Sequence, residues 1–366
     1  MRPDPRIQNQ CPIEPDPAAE SSEPGTGAEP GPGGVSRRAI LRGGAALGAA
    51  ALGGAALGIG SQASQALKPR VEVPHLHGAG GTGPVRDIQP GGFDPTAFAT
   101  RFDGGILSRL PDGRTLRQYH FVAVDREIEI APGVWFPAWT YNGSVPGPTI
   151  RCTEGDRIRV RFQNAGSHPH TIHFHGFHPA NMDGVFEVVD PGQTFVYEFD
   201  ADPFGLHLYH CHTTPLRRHI HKGLYGAFII DPPGGRPPAR EYVMVMNGFD
   251  TDFDAGNEFY AVNTVAFHYM RHPLPAVVGE KVRLYVVNAL EFDLINSLHV
   301  HANFFDVYRT GTRLEPDDFT DTIMFCQGER HVLELEFRHP GRFMFHAHQS
   351  EFAELGWMGF FDVAEG

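Results

Sequence analysis

Four His-x-His pairs stand at matching places of two tandem repeats, and this constrains the fold of the chain more than any other feature. Gly155-Asp156-Arg157-Ile158-Arg159-Val160 recurs as Gly279-Glu280-Lys281-Val282-Arg283-Leu284, each a turn followed by the alternating pattern of a strand. His173-Phe174-His175 recurs as His299-Val300-His301, and His210-Cys211-His212 as His346-Ala347-His348. Gly192 precedes His210 by 18 residues and Gly328 precedes His346 by the same 18. Gly223-Leu224-Tyr225-Gly226-Ala227-Phe228 returns as Gly356-Trp357-Met358-Gly359-Phe360-Phe361. Between the copies lies Pro232-Pro233-Gly234-Gly235-Arg236-Pro237-Pro238, a stiff polar linker. The spacing predicts an all-β chain of two β-sandwich domains, 118–231 and 240–366. The 43 Gly and 31 Pro suit turns rather than helices, and 28 Phe can fill two cores.

Side chains alternate along a strand, so His-x-His sends both imidazoles to one side. One such pair arises easily by chance. Four, repeated in register, are hard to explain as surface or core histidines. Pairs of imidazoles without carboxylates suit copper better than calcium or magnesium. Cys211, between two of these histidines, points away from them and can complete a His2Cys site of the blue-copper kind with His170 and His219. Leu224 stands five residues beyond His219, where many such sites carry an axial Met; it predicts a three-coordinate copper of relatively high potential. The second copy has Ala347 in place of Cys211 and can hold no such centre.

His170-Thr171-Ile172-His173-Phe174-His175-Gly176 and His210-Cys211-His212, with His219 through Leu224, resemble the copper motifs of multicopper oxidases. The nearer resemblance is to the two-domain, laccase-like branch with its mononuclear copper in the first domain, and it covers about 118–366. It implies cupredoxin-like Greek-key domains and four coppers per chain. By motif, His170, Cys211 and His219 would hold type 1 copper, and His173 and His299 type 2. His175, His210, His212, His301, His346 and His348 would hold the type 3 pair. The implied activity is one-electron oxidation of phenolic or similar donors coupled to four-electron reduction of O2 to water. Reducing O2 consumes protons, and Glu351 and Asp183 are the candidate proton-relay carboxylates; a surface Glu and a turn-forming Asp are the plainer readings. The resemblance also implies a homotrimer with the cluster at subunit interfaces.

A copper nitrite reductase shares the two-domain trimeric plan but carries an Asp at the position of His173, and His212 and the His346/His348 pair also depart from it. A copper-binding electron carrier without turnover would need only the type 1 set. Other histidines near the ligands, His168, His178, His207 and His221, read as supporting or surface groups. Cys152 and Cys326 either pair in an oxidising compartment or remain two free thiols. The net charge of −13 argues against nucleic acid or an anionic membrane as partner.

Residues 1–66 read as a Pro/Gly-rich, disordered leader with a Tat signal: Ser36-Arg37-Arg38-Ala39-Ile40-Leu41 precedes a weakly apolar Ala/Gly/Leu run, with cleavage after Ala63 or Ala66. An uncleaved anchor is the alternative. The expectation is export to the periplasm or beyond, with Cys11 removed and no stable membrane insertion. Residues 67–117 read as a lead-in whose His75 and His77 are incidental.

Overall fold

The computed structural model describes Asp87, Ile88 and residues 92–366. The segment read as an export signal, with its expected cleavage sites, and Cys11, His75 and His77 lie outside the described residues. Among those described, no helix is long and apolar enough to cross a membrane.

The expected mostly-β, two-layer architecture is present, and it is built twice. In the first copy, β1 (Ile106–Arg109), β2 (Thr115–Ala131), β5 (Arg157–Asn164) and β7 (Thr194–Asp200) form one sheet, with β3 (Val134–Tyr141) also paired to β2. The facing sheet runs β4 (Ile150–Thr153), β9 (Tyr225–Asp231), β8 (Gly205–His210), β6 (His173–Phe174). In the second copy a six-stranded sheet runs β11 (Phe259–Val262), β10 (Arg240–Phe249), β13 (Lys281–Asn288), β18 (Arg330–Glu336), β15 (Phe305–Arg309), β16 (Asp318–Thr320). Its facing sheet runs β12 (Leu274–Val277), β20 (Met358–Ala364), β19 (Gly341–His346), β14 (Ile295–Val300), β17 (Thr322–Cys326). The pairings correspond: β2 lies parallel to β5 as β10 does to β13, and β4 lies parallel to β9 as β12 does to β20. Parallel neighbours far apart in sequence require long crossovers rather than simple hairpins.

The start of the first sheet differs from the sequence expectation, because β1 and the first residues of β2 fall in the segment read as lead-in. Leu116 through Ala123 pair with Arg157 through Asn164, and β1 covers the other edge of β2. A short helix, α1 (Pro95–Ala99), precedes them, capped by the Asp94 carboxylate on the N–H groups of Thr96 and Ala97. It packs into the second copy, where the Tyr269 hydroxyl donates to the Pro95 carbonyl.

The repeated strand pattern is read differently in the two copies. β5 alternates, with Ile158, Val160 and Phe162 inward and arginines outward, because only one face is covered. β13 is buried along nearly its whole length. Val282, Leu284 and Val286 face its own sandwich core, while Tyr285 and Val287 join a cluster with Phe136, Leu208 and Ile229 of the first copy. A sheet covered on both faces needs apolar residues at consecutive positions.

Candidate metal centres

Each His-x-His pair sits at a strand end. His173 opens β6, His210 closes β8, His299 is the next-to-last residue of β14 and His346 closes β19. The partner of each pair therefore stands on or beside the loop that follows. Antiparallel register sets His173 opposite His210 and His299 opposite His346. That pairing gathers four imidazoles at one end of each copy. In the first, ring centroids lie 5.1 Å apart for His173–His175, 5.2 Å for His173–His210, 5.5 Å for His173–His212 and 5.4 Å for His175–His210. In the second, the matching separations are 4.9 Å for His299–His301, 5.5 Å for His299–His346, 5.5 Å for His299–His348 and 5.1 Å for His301–His346.

Backbone carbonyls fix which ring nitrogen is free. The Nδ1 atoms of His173 and His299 bond the carbonyls of Asp183 (2.7 Å) and Asp321 (2.9 Å). Those of His210 and His346 bond the carbonyls of Cys211 (2.9 Å) and Ala347 (2.6 Å). A carbonyl only accepts, so each Nδ1 carries the proton and each Nε2 presents a lone pair. Nε2 of His175 then faces that of His210 at 3.3 Å, and Nε2 of His301 faces that of His346 at 3.0 Å. Converging imidazole nitrogens of this kind are the donors a transition metal takes.

The third group is buried and uses the other nitrogen. His170 Nδ1 lies 3.2 Å from His219 Nδ1, which lies 3.3 Å from Cys211 Sγ. All three side chains are within the core, and their donor atoms lie within 4.8 Å of one another. His219 comes from α2 (Leu216–His221), which immediately follows the Cys211 segment. The Thr171 N–H donates to Cys211 Sγ at 3.4 Å, and the Thr171 hydroxyl accepts from the His212 N–H at 2.9 Å. Trp139 lies against the pair, its ring 5.3 Å from that of His170 and 4.8 Å from that of His219. Leu224 is fully buried, and its carbonyl accepts from the Cys211 N–H at 2.9 Å.

Burial keeps these imidazoles neutral, as metal coordination requires. It lowers His170 to about 3, His219 to about 4, His175 to about 2 and His210 to about 4, with neighbouring positive groups as a lesser cause. His173, His301 and His346 are also lowered, again chiefly by desolvation.

Asp183 lies against the first set: its Oδ1 is 3.1 Å from His173 Nδ1 and 3.6 Å from His178 Nε2. Glu351 is half-buried in the first turn of α3 (Ser350–Glu354), just after His348. The surrounding histidines take supporting positions. His178 Nε2 bonds the Phe174 carbonyl, His207 Nε2 the Pro203 carbonyl, and His221 Nε2 accepts from the Asp250 N–H. His168 packs on Trp139. Cys152 is buried and Cys326 exposed, both as free thiols.

Sequence reasoning missed Thr171, Ser297 and Trp139. Ser297 matches Thr171, its hydroxyl accepting from the His348 N–H at 2.7 Å. Both hydroxyl residues stand two positions before the first His of a pair, a correspondence the repeat already contained.

Multicopper oxidase family models match residues 125–235 and 236–366. A solved structure described as a multicopper oxidase is 59% identical with a TM-score of 0.74; the match covers 75% of this chain and 98% of that one. A copper nitrite reductase structure from Nitrosomonas europaea is 30% identical with a TM-score of 0.62, covering 68% of this chain and 94% of that one. The copper-containing nitrite reductase of Neisseria meningitidis is 31% identical over 60% of this chain. The chain spans 62% of the length of that relative. With two family models tiling both copies and copper-type donor groups in each, the chain belongs to the multicopper oxidase family.

Proposed function

We propose that the chain is a laccase-like oxidase that takes electrons singly from a phenolic or similar donor and reduces O2 to water. The observation that carries this reading is the doubled set of four converging imidazoles beside one His2Cys group. His170, Cys211 and His219 would hold type 1 copper. His173 and His299 would hold type 2, and the remaining six histidines the type 3 pair. Copper bound there supplies the one-electron acceptor and the site that delivers four electrons to O2.

The chain's own contribution is arrangement. Cys211 is covalently continuous with His210 and His212, so a three-residue segment belongs to both donor groups. The carbonyls of Asp183, Asp321, Cys211 and Ala347 orient the rings, and the Thr171 and Ser297 hydroxyls hold the backbone N–H groups of His212 and His348. Asp183, against His173, is positioned to relay a proton, and Glu351 is the second candidate.

Ring contacts join the four histidines within each set, and among the described residues none joins the two sets. A complete cluster then needs the first copy of one chain to face the second copy of another, which a ring-closing homotrimer provides. The Tat-type leader supports export to the periplasm or beyond.

Nitrite reduction is the second reading, favoured by the names of the relatives. His173 and the full His346/His348 pair favour O2. Metal analysis, visible and EPR spectra of copper-loaded protein, and O2 uptake with a phenolic donor separate the two. About four coppers per chain, an intense blue band and O2 consumption support the oxidase. About two coppers with nitrite turnover and no O2 uptake overturn it. Light scattering tests the trimer, which a monomeric mass would exclude.

A further inference from the structure

The loop between β10 and β11 gathers four carboxylates away from the histidine sets: Asp250, Asp252, Asp254 and Glu258 each bring an oxygen within 4.8 Å of the others. Among the described residues none of the four forms a salt bridge with Lys or Arg, although Asp250 is 2% exposed and Glu258 9%. Glu258 is the informative member. Its Oε2 accepts from the Thr251 N–H and hydroxyl, at 2.6 and 2.9 Å, while its buried Oε1 has no partner. A buried carboxylate oxygen without a hydrogen-bond donor is costly unless a cation takes it. Burial raises both Asp250 and Glu258, with the neighbouring carboxylates adding to the effect.

We propose that Asp250, Asp252, Asp254 and Glu258 bind one calcium-class divalent cation that fixes this loop in the conformation in which it meets α2. The donor set is oxygen only, which suits a hard ion rather than copper or zinc. Oxygens about 2.4 Å from one calcium ion lie at most about 4.8 Å apart, whereas magnesium requires a tighter octahedron. Asp250, Asp252 and Asp254 at alternate positions follow the opening of a calcium loop, with Ala255 (φ 71°) where such loops carry glycine. The loop also touches the helix that carries His219. The Asp250 N–H donates to His221 Nε2 at 3.0 Å, Phe253 lies on Phe136, and Lys222 Nζ sits 5.3 Å from the Phe253 ring. A cation here would stiffen the outer support of the His170/Cys211/His219 group.

The test is calorimetric titration with CaCl2 of full-length protein that has been stripped with EGTA and then loaded with copper. The expected result is one ion per chain with Kd at or below about 1 mM, reversed by EGTA, and magnesium competing at least about tenfold more weakly. The D252N/D254N variant changes only exposed side chains and should raise Kd at least about tenfold, while E258Q should abolish binding. Calcium should raise the melting temperature of the parent protein and not that of D252N/D254N. No saturable heat up to about 10 mM, equal competition by magnesium, or unchanged affinity in D252N/D254N would each overturn the proposal. Calcium binding is read directly, so a failure of the oxidase reading leaves this result intact.

Discussion

The two copies hold nearly the same four imidazoles yet differ at four positions that form or flank the His2Cys group. Where the first copy has His170, Cys211, His219 and Leu224, the second has Asn296, Ala347, Phe352 and Trp357. The backbone correspondence is close. The Cys211 N–H donates to the Leu224 carbonyl as Ala347 does to Trp357, and the Leu224 N–H donates to the His219 carbonyl as Trp357 does to Phe352. The difference between the copies is therefore more than one cysteine. Trp357 is wholly buried and Phe352 stacks on Tyr260 at 4.0 Å, so aromatic volume occupies the place of the buried donor group. One framework can support metal donors or a packed core at the same spot, but the surrounding residues must change together.

The largest effect that would test this comparison is loss of the sulfur. Cys211→Ser should remove the blue band and reduce oxidase activity more than the roughly 100-fold seen for supporting residues of metal sites, while copper at the histidine sets remains measurable by EPR. Retention of the blue band would break the assignment. Trp357→Ala should cost about 3–5 kcal/mol in denaturant unfolding and leave the blue band in place, since its indole fills a core. A loss below about 1 kcal/mol would contradict the packing role.

Smaller changes sharpen the distinction. Thr171→Ala removes the acceptor of the His212 N–H beside Cys211 Sγ, and Ser297→Ala removes only the acceptor of the His348 N–H. Each should weaken cluster copper about 10–100-fold by competition with a chelator, but only Thr171→Ala should move the blue band. The metal-free protein should lose stability as pH falls from 6.5 towards 4. Buried His170, His210 and His219 have folded values of about 3, about 4 and about 4, so the unfolded chain binds more protons in that window. Chemical denaturation at several pH values checks the slope, and copper loading should flatten it because the metal competes with those protons. Leu224→Met should lower the reduction potential of the His2Cys copper, read by redox titration.

The histidine pairs were legible because strand alternation and spacing survive translation into sequence, and in each copy the structure brings its two pairs together at one end. The strand-end position of each pair was not visible, since Cys211 and His212 follow β8 rather than lie inside it. Nor was the early start of β2, whose parallel partner lies some 40 residues downstream, at Arg157–Asn164. Ring anchoring by the carbonyls of Asp183 and Asp321 was hidden for the same reason: a backbone acceptor leaves no mark on residue identity. The roles of Asn296, Phe352 and Trp357 emerge only when the two copies are overlaid in space.

The apolar cluster joining Phe136, Leu208 and Ile229 to Tyr285 and Val287 has a consequence for the history of the chain. A duplicated module stays separable only while its outer face remains polar. Here the second copy has turned that face into a buried seam, so a chain cut at the Pro-rich linker should give halves that reassociate or aggregate rather than persist as two independent proteins. The seam, and not the linker alone, holds the two copies together.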